Sequence, residues 1–448
     1  MAYNILMMGA SYGSLLASKL LFGGHSVTLV CLPAEAELFN AEGFRVRMPV
    51  KGRKEQIEID SRKLPGKVAA CGPGDVDPKN FDLVGLAMQE PQYRSPGVRE
   101  LLDQVATSRV PCMSIMNMPP LPYVKRIAGL DHTALEVAYT DARVWDSFDP
   151  GTLTLCSPDP QAIRPPEEKV NVLMVTLPTN FKVAKFDNEK GTAILRQLEK
   201  EIDAVRFDPG DGTKIELPVK LRVHDSIFVP LAKWSMLLAG NYRCVTTDGM
   251  RTAQEAVHSD IETSRSVYNF VFDLCVKLVA SPNDLVPFEK YAAAAQSLVR
   301  PASAARALQN GAPNIERADK LVQLIAKQKG LSHPAVDAQV ALEQLRRAGI
   351  VKRAGGPAVR AALPPGTGVL LGQFPGGFWL RATPFHCMTT SWLSRAEPWP
   401  TPSSVRMPLA LSRQASRACQ GDLPLSPCPA SSWAKSASHR SCAKAATR

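Results

Sequence analysis

Apolar and polar positions alternate in distinct blocks along this chain. The first block is an unbroken apolar strand at residues 4–9, "NILMMG". A second block, "GSLLASKLLF" at 13–22, places Leu15, Leu16, Leu20 and Leu21 at helical spacing. "GGHSVTLVCLP" follows with a turn and another apolar strand over 26–31. Strand, glycine turn, helix, turn and strand within about 30 residues make a βαβ unit, the building block of a parallel sheet. Further short buried strands are predicted in "FDLVGLAMQ" (81–89) and "PCMSIMNMPP" (111–120), with the helical "SPGVRELLDQVA" between them. "GTLTLCS" and "KVNVLMVTL" add extended segments rich in β-branched residues. Beyond Leu217 the period changes. "SIFVPLAKWSMLLAGNYRC", "DIETSRSVYNFVFDLCVKLVA", "FEKYAAAAQSLV" and "ERADKLVQLIAKQKG" all read as amphipathic helices. The predicted fold class is therefore α/β: a Rossmann-type parallel-sheet domain over 1–216, then a mainly α-helical substrate or dimerisation domain over 217–353.

The last block, 354–448, fits neither period. It holds 12 of the 37 prolines, 4 of the 6 tryptophans and 4 of the 10 cysteines. A disordered tail is normally poor in Trp and Cys and rich in Glu and Lys. This composition instead resembles a GC-rich gene read out of frame, with a genuine interaction tail as the alternative, and no chemistry is assigned to it. It also accounts for most of the charge. The chain carries +11, but 10 of the 53 basic and only 2 of the 42 acidic residues lie beyond Arg353, so residues 1–353 hold 43 basic and 40 acidic side chains. A nearly neutral body gives no reason to expect a nucleic-acid or membrane partner. No run of 18 apolar residues is present and the N-terminus lacks a basic n-region, so neither a spanning helix nor a signal peptide is expected. Six cysteines are scattered singly through the body, as are the histidines. That pattern fits reduced thiols in a cytoplasm and argues against a metal site.

The chemistry is expected at the first glycine turn, Gly9, Ala10, Ser11, Tyr12, Gly13 and Ser14. A dinucleotide fingerprint, G-x-G-x-x-G, uses its glycines for a tight turn, for approach of backbone to pyrophosphate and for close helix packing. The helix N-terminus then offers unpaired N–H groups to phosphate. Here Gly9 suits the turn and Gly13 the packing. The middle glycine is absent and the loop is one residue shorter, which leaves Ser11 and Ser14 as hydroxyl donors and Tyr12 as a cover. The opposing reading is a tightly packed βαβ unit that holds no nucleotide. The end of the second strand carries Cys31 and Leu32 where an acid or an arginine would select the ribose form; Glu35 and Glu37 come late for that role.

Taken in order, the motifs resemble the ketopantoate reductase (2-dehydropantoate 2-reductase) family. "GASYGSLLASKLLFGGHSVTLV" resembles its opening turn, helix and strand. "FDLVGLAMQEPQY" resembles its D-L-V…K-x-x-Q segment, with Gln92 kept and Gln89 in the place of the lysine. "SIMNMPP" is similar to the L-Q-N-G turn, with Asn117 at the asparagine that contacts cofactor and substrate. "AYTDAR" matches Ala142 to a cofactor-lining position. "LAKWSMLLAGN" is similar to K-x-x-x-N-x-x-x-N, with Lys233 at the catalytic lysine, Asn241 at the last asparagine and Leu237 replacing the middle one. "NIERADKLVQLIAKQKGLSHP" resembles the T-E-I-D helix and its G-I-x-x-P, and counting back from Pro334 places Asn314 where a glutamate is usual. The likeness spans about residues 1–345.

The resemblance implies an NADPH-dependent reductase of a small 2-oxo acid, ketopantoate above others, with NADH left open. Lys233 would stabilise the charge that hydride transfer builds on the ketone oxygen and then donate a proton. Asn241, eight positions on, would bind the substrate from the same helical stripe, and Asn117 would orient nicotinamide and carbonyl. Two other readings stay open: a catalytically degenerate nucleotide-binding sensor, and a dehydrogenase of a different hydroxy acid. The oligomeric state also stays open, a homodimer included.

Overall fold

The computed structural model describes residues 2–348 and the backbone of two strands at 367–374 and 377–384. Strand β1, Asn4–Met8, leads through Gly9 into helix α1, Ala10–Phe22, and back through β2, Ser26–Val30. After α2 (Pro33–Glu42) come β3 (Arg45–Met48), β4 (Ile57–Asp60), β5 (Val68–Cys71) and β6 (Leu83–Leu86). Helix α3 (Val98–Ser108) precedes β7 (Cys112–Ile115) and the single turn α4 (Leu121–Val124). Next are β8 (Leu153–Ser157), β9 (Gln161–Ile163), β10 (Val172–Leu177), β11 (Phe181–Ala184), α5 (Glu189–Ala204) and β12 (Leu221–His224).

Eight of these strands form one sheet in the order β12-β11-β8-β7-β6-β1-β2-β5. Neighbours run parallel except β11 against β8. The alternation inside β1 explains its unbroken apolar run. Ile5 and Met7 face one hydrophobic core, with α1 and α5, while Leu6 and Met8 face the other, with α3 and the helical region. A parallel strand covered on both faces has no polar side to show. Each such side chain contributes roughly 1.5–3 kcal/mol through burial.

Two features depart from the expected layout. A second, four-stranded sheet, β4-β3-β10-β9, packs on α1; of its strands only β10 falls in a segment the sequence showed as extended, "KVNVLMVTL". The main sheet also runs past residue 216, because β12 pairs in parallel with β11. The helices begin after it: α6 (Lys233–Met236), α7 (Ala253–His258), α8 (Ile261–Lys277), α9 (Phe288–Ala295), α10 (Ser303–Gln309), α11 (Ala318–Gln328) and α12 (Pro334–Arg347). Helix α8 shows why they form. Asp260 caps it, and Ser264, Val267, Tyr268, Val271, Leu274 and Cys275 are buried at three- and four-residue intervals.

In the tail, β13 (Thr367–Phe374) and β14 (Gly377–Pro384) pair as a separate two-stranded sheet where no element was expected. The remainder of the 354–448 reading lies outside the described residues. Among the described residues no helix is long and apolar enough to cross a membrane.

Candidate active site

A cleft of about 610 Å³ opens above the carboxyl ends of β1, β6 and β7 and is closed on its other side by the helical region. That is the position at which open parallel sheets bind ligands. Its floor begins at the glycine turn. Gly9 sits at φ +110°, and a side chain there would bring Cβ to 2.7 Å from the Ala87 carbonyl oxygen. Its N–H bonds the Val30 carbonyl at 2.9 Å. At Gly13 a Cβ would lie 2.5 Å from Met7 Cγ, so α1 rests directly on the sheet. Both glycines therefore do what a dinucleotide turn requires of them.

Of the turn's other residues, Ser11 is exposed and lines the cleft beside Tyr12. Tyr12 stands edge-on to Phe181, and its hydroxyl donates to the Pro158 carbonyl at 3.3 Å. Burial, with the Asp159 carboxylate adding to it, pushes the Tyr12 phenol well above its usual range. Ser14 does not reach the cleft. It is buried in α1 and donates to the Ser11 carbonyl at 2.8 Å, which corrects its expected use as a phosphate donor. Ala10 is buried behind the turn.

The opposite wall carries Lys233 and Asn241, both lining the cleft. Helix α6 passes without a break into a π-helical turn, Leu237–Asn241, closed by the Tyr242 N–H on the Leu237 carbonyl. In a plain α-helix, at about 100° per residue, position 241 would stand roughly 80° round from Lys233. A turn closed by i→i+5 bonds advances less per residue and swings Asn241 back toward the lysine's face. Gly240 permits this. A Cβ there would lie 2.0 Å from Tyr291 Oη, and that hydroxyl donates to the Met236 carbonyl at 3.1 Å. Leu237, where the related motif has asparagine, is buried in the hydrophobic core at the narrow end of the cleft.

The Lys233 ammonium is largely buried and donates to the Pro158 carbonyl oxygen, with Asp159 Oδ1 at 3.9 Å. Burial lowers its pKa from the ordinary lysine value, while the Asp159 and Glu316 carboxylates oppose that shift. An ammonium has three donors, so the bond to Pro158 leaves two for a ligand.

Between the walls lies a residue the sequence reading missed. Glu316 is buried, lines the cleft and accepts from Asn117 Nδ2 at 3.2 Å. It also accepts from the Glu90 N–H at 3.4 Å. Burial raises the Glu316 carboxyl to about 7, with the Glu90 charge adding to the rise and the Asn117 bond and Lys233 opposing it. Burial likewise raises Glu90, which is held by the Thr140 hydroxyl and N–H at 2.8 and 2.9 Å. The phenol of Tyr242 fixes the Glu316 backbone, donating to its carbonyl at 2.7 Å and accepting from the Ala318 N–H at 2.9 Å. Behind it, the buried pair Arg317–Asp319 at 2.8 Å, with Glu343 3.6 Å away, anchors the start of α11 to α12.

The structure thus brings together Ser11, Tyr12, Asn117, Lys233 and Asn241 from the expected residues, with Gly9 and Gly13 as the floor. Asn117 Oδ1 is buried with no donor among the described residues, so one polar atom of the cleft stands ready for a ligand. Gln89 and Gln92 also line it. One expectation does not hold. Ala142 starts a single turn, Ala142–Trp145, packed on the hydrophobic core away from the cleft. Asn314, read as standing where a glutamate is usual, accepts from Arg347 at 2.6 Å and is not among the cleft's lining residues, whereas Glu316, two residues later, is. The signal for Glu316 was present in "IERAD", where an acid precedes an amphipathic helix among apolar neighbours.

No family model matches this sequence, and no curated protein does. Solved structures do. The 2-dehydropantoate 2-reductase of Methylococcus capsulatus matches at 14% identity and a TM-score of 0.52, over 79% of this chain and 100% of its own. A protein of Ralstonia solanacearum MolK2 assigned to the ketopantoate reductases matches at 14% identity and a TM-score of 0.51, over 77% of this chain and 98% of its own. The chain therefore has the ketopantoate reductase fold: a Rossmann-like sheet domain followed by a helical region.

Proposed function

We propose that this chain is an NAD(P)H-dependent reductase of a small 2-oxo acid, of which ketopantoate is the best single candidate. The observation that carries this reading is a buried lysine ammonium whose partner, the Pro158 carbonyl, is shared with Tyr12 of the glycine turn. A dinucleotide fits the residues present. Gly9 and Gly13 form a floor that a Cβ would fill, Ser11 is exposed in the first turn of α1, and Asn117 Oδ1 lacks a donor. Ser11, Tyr12 and the first-turn N–H groups of α1 would hold its phosphates, and Asn117 its nicotinamide end.

A nicotinamide, when bound, supplies the hydride. The remaining steps belong to the chain. Lys233, whose charge burial disfavours and the Asp159 and Glu316 carboxylates favour, would meet the negative charge that develops on the ketone oxygen. Its Nζ would then pass a proton to that oxygen. Asn241, turned onto the same face, would hydrogen-bond the substrate's hydroxyl or carboxylate. Glu316 would hold Asn117 in place.

The test is oxidation of NADPH and NADH across a panel of branched and linear 2-oxo acids. Lys233→Ala is expected to lower kcat by about 10²–10⁴-fold. Full kcat in that variant removes the assignment of Lys233. Leu237 favours a second reading, because an apolar side chain replaces a substrate-binding amide. In that case the chain senses nucleotide: it binds NADPH tightly and turns over no 2-oxo acid.

A further inference from the structure

We infer that Arg164, brought in from the second sheet, recognises the 2′-phosphate of the cofactor's adenosine ribose, so that the site selects NADPH over NADH. This rests on the reductase reading above. Ribose selection in this fold class takes place at the end of the second strand, where an acid accepts from the free 2′-hydroxyl or an arginine pairs with the 2′-phosphate. Here β2 ends at Val30, Cys31 and Leu32 follow it, and no lysine or arginine occurs between His25 and Arg45. The local sequence therefore supplies no cation.

The fold supplies one from elsewhere. Arg164 follows β9 directly, lines the same cleft as Ser11 and pairs through Nη1 with Glu35 Oε1 at 2.5 Å. Glu35 lies in the first turn of α2, four positions beyond the end of β2's apolar run at Cys31. The pair is one-quarter exposed at the arginine and one-fifth at the acid, so the guanidinium is held and still open to the cleft. Cys31 is close enough to feel both charges. The segment from Pro158 to Arg164 thus runs along the cleft from the Lys233 end to the β2 end.

Two physical points decide between the two forms of cofactor. Glu35 uses one carboxylate oxygen on Arg164, and that pairing offsets the negative charge a 2′-phosphate would otherwise meet at the start of α2. A guanidinium has five N–H donors, and one ion pair leaves others in the planar fork that suits phosphate. Glu35 is a positioning residue that aims Arg164 along α2.

The experiment measures equilibrium binding of four probes to the full chain by calorimetry: NADPH, NADH, adenosine 2′,5′-bisphosphate and AMP. The wild type is expected to bind the two 2′-phosphorylated probes more tightly than their counterparts. Arg164→Ala should weaken both of those by about tenfold or more and leave NADH and AMP within about twofold. Arg164→Lys should recover part of the loss, and Arg164→Gln serves if the alanine variant does not fold. An NADPH to NADH affinity ratio that is the same in wild type and variant, or a wild type that prefers NADH, overturns the inference while leaving the reductase reading standing. If neither dinucleotide binds the wild type, both fall together.

Discussion

The hydroxyl of Tyr12 and the ammonium of Lys233 end on one atom, the carbonyl oxygen of Pro158. The first belongs to the glycine turn and the second to the helical region, so this carbonyl ties the two walls of the cleft at the reacting end. Its two lone pairs serve both donors, which compete only for the electron density of the one oxygen.

Tyr12→Phe removes that competition and separates two roles for the tyrosine. With the hydroxyl gone, Pro158 serves the ammonium alone, which favours the charged lysine and raises its pKa. A general acid must be protonated, so activity falls as pH rises through the Lys233 pKa, which burial has lowered. The alkaline limb of kcat is therefore expected to move to higher pH by about half a unit, with kcat at neutral pH reduced by less than about tenfold. A loss of about 10² or more at all pH values would make Tyr12 itself the proton donor.

Glu316→Gln tests the buried carboxyl. Its folded pKa, about 7, lies above the 4.5 of the free group, so the folded state holds the proton more tightly. Between those two values the folded chain binds more protons than the unfolded one, and stability falls as pH rises across the window. The wild type is expected to lose on the order of 3 kcal/mol between pH 4.5 and 7 from this group alone. The glutamine variant keeps the Asn117 contact and should lack that slope, which urea midpoints at pH 5 and pH 7.5 will show. Equal slopes in both proteins would place Glu316 in water.

Much of this cleft was legible in the sequence, and the misses have physical causes. The βαβ opening was readable because it lies within one local period, whereas Lys233, Asn241 and Asn117 were reached through the family resemblance, carried by short local motifs that all fall on the cleft. The ordinary helical stripe predicted that Lys233 and Asn241 share a face. The structure reaches that result by a π turn that depends on Tyr291, a residue from another helix. Glu316 and Arg164 were missed for a related reason. Their roles depend on partners far away in sequence, Asn117 and Glu35, and no window of local periodicity contains both members of either pair. Ala142 shows the converse: a motif match placed it at the cofactor, while packing against the core set its true position.

Gly13→Ala tests the floor. The new Cβ would meet Met7 Cγ at 2.5 Å, and Met7 is already confined on its other side, since a Cβ at Gly85 would meet its sulfur at 2.6 Å. Overpacking of this kind costs about 1–3 kcal/mol. Thermal unfolding should show the loss, and Met7→Val in the same chain should restore part of it, a coupling between neighbours that a double-mutant cycle reads directly. Strictly additive effects would mean that α1 does not rest on the sheet at this point.

Gly240→Ala tests the turn that aligns the lysine and the asparagine. A Cβ at 240 would lie 2.0 Å from Tyr291 Oη, too close for the phenol to remain in place, and 3.1 Å from Val257 Cγ2, a tight contact that a small shift relieves. Relief requires the phenol to leave the Met236 carbonyl, and the π turn then loses the contact that favours it over a plain α-helix. The expected result is a destabilisation of about 1–3 kcal/mol together with a fall in kcat of at least about tenfold, because Asn241 rotates off the lysine's face. Adding Tyr291→Phe removes the clashing oxygen and should return most of the melting temperature. It cannot return the bond to Met236, so kcat should stay low. Recovery of both by the double variant would show that the hydroxyl only fills space, and an unchanged kcat in Gly240→Ala would show that the register of Asn241 does not matter to the reaction.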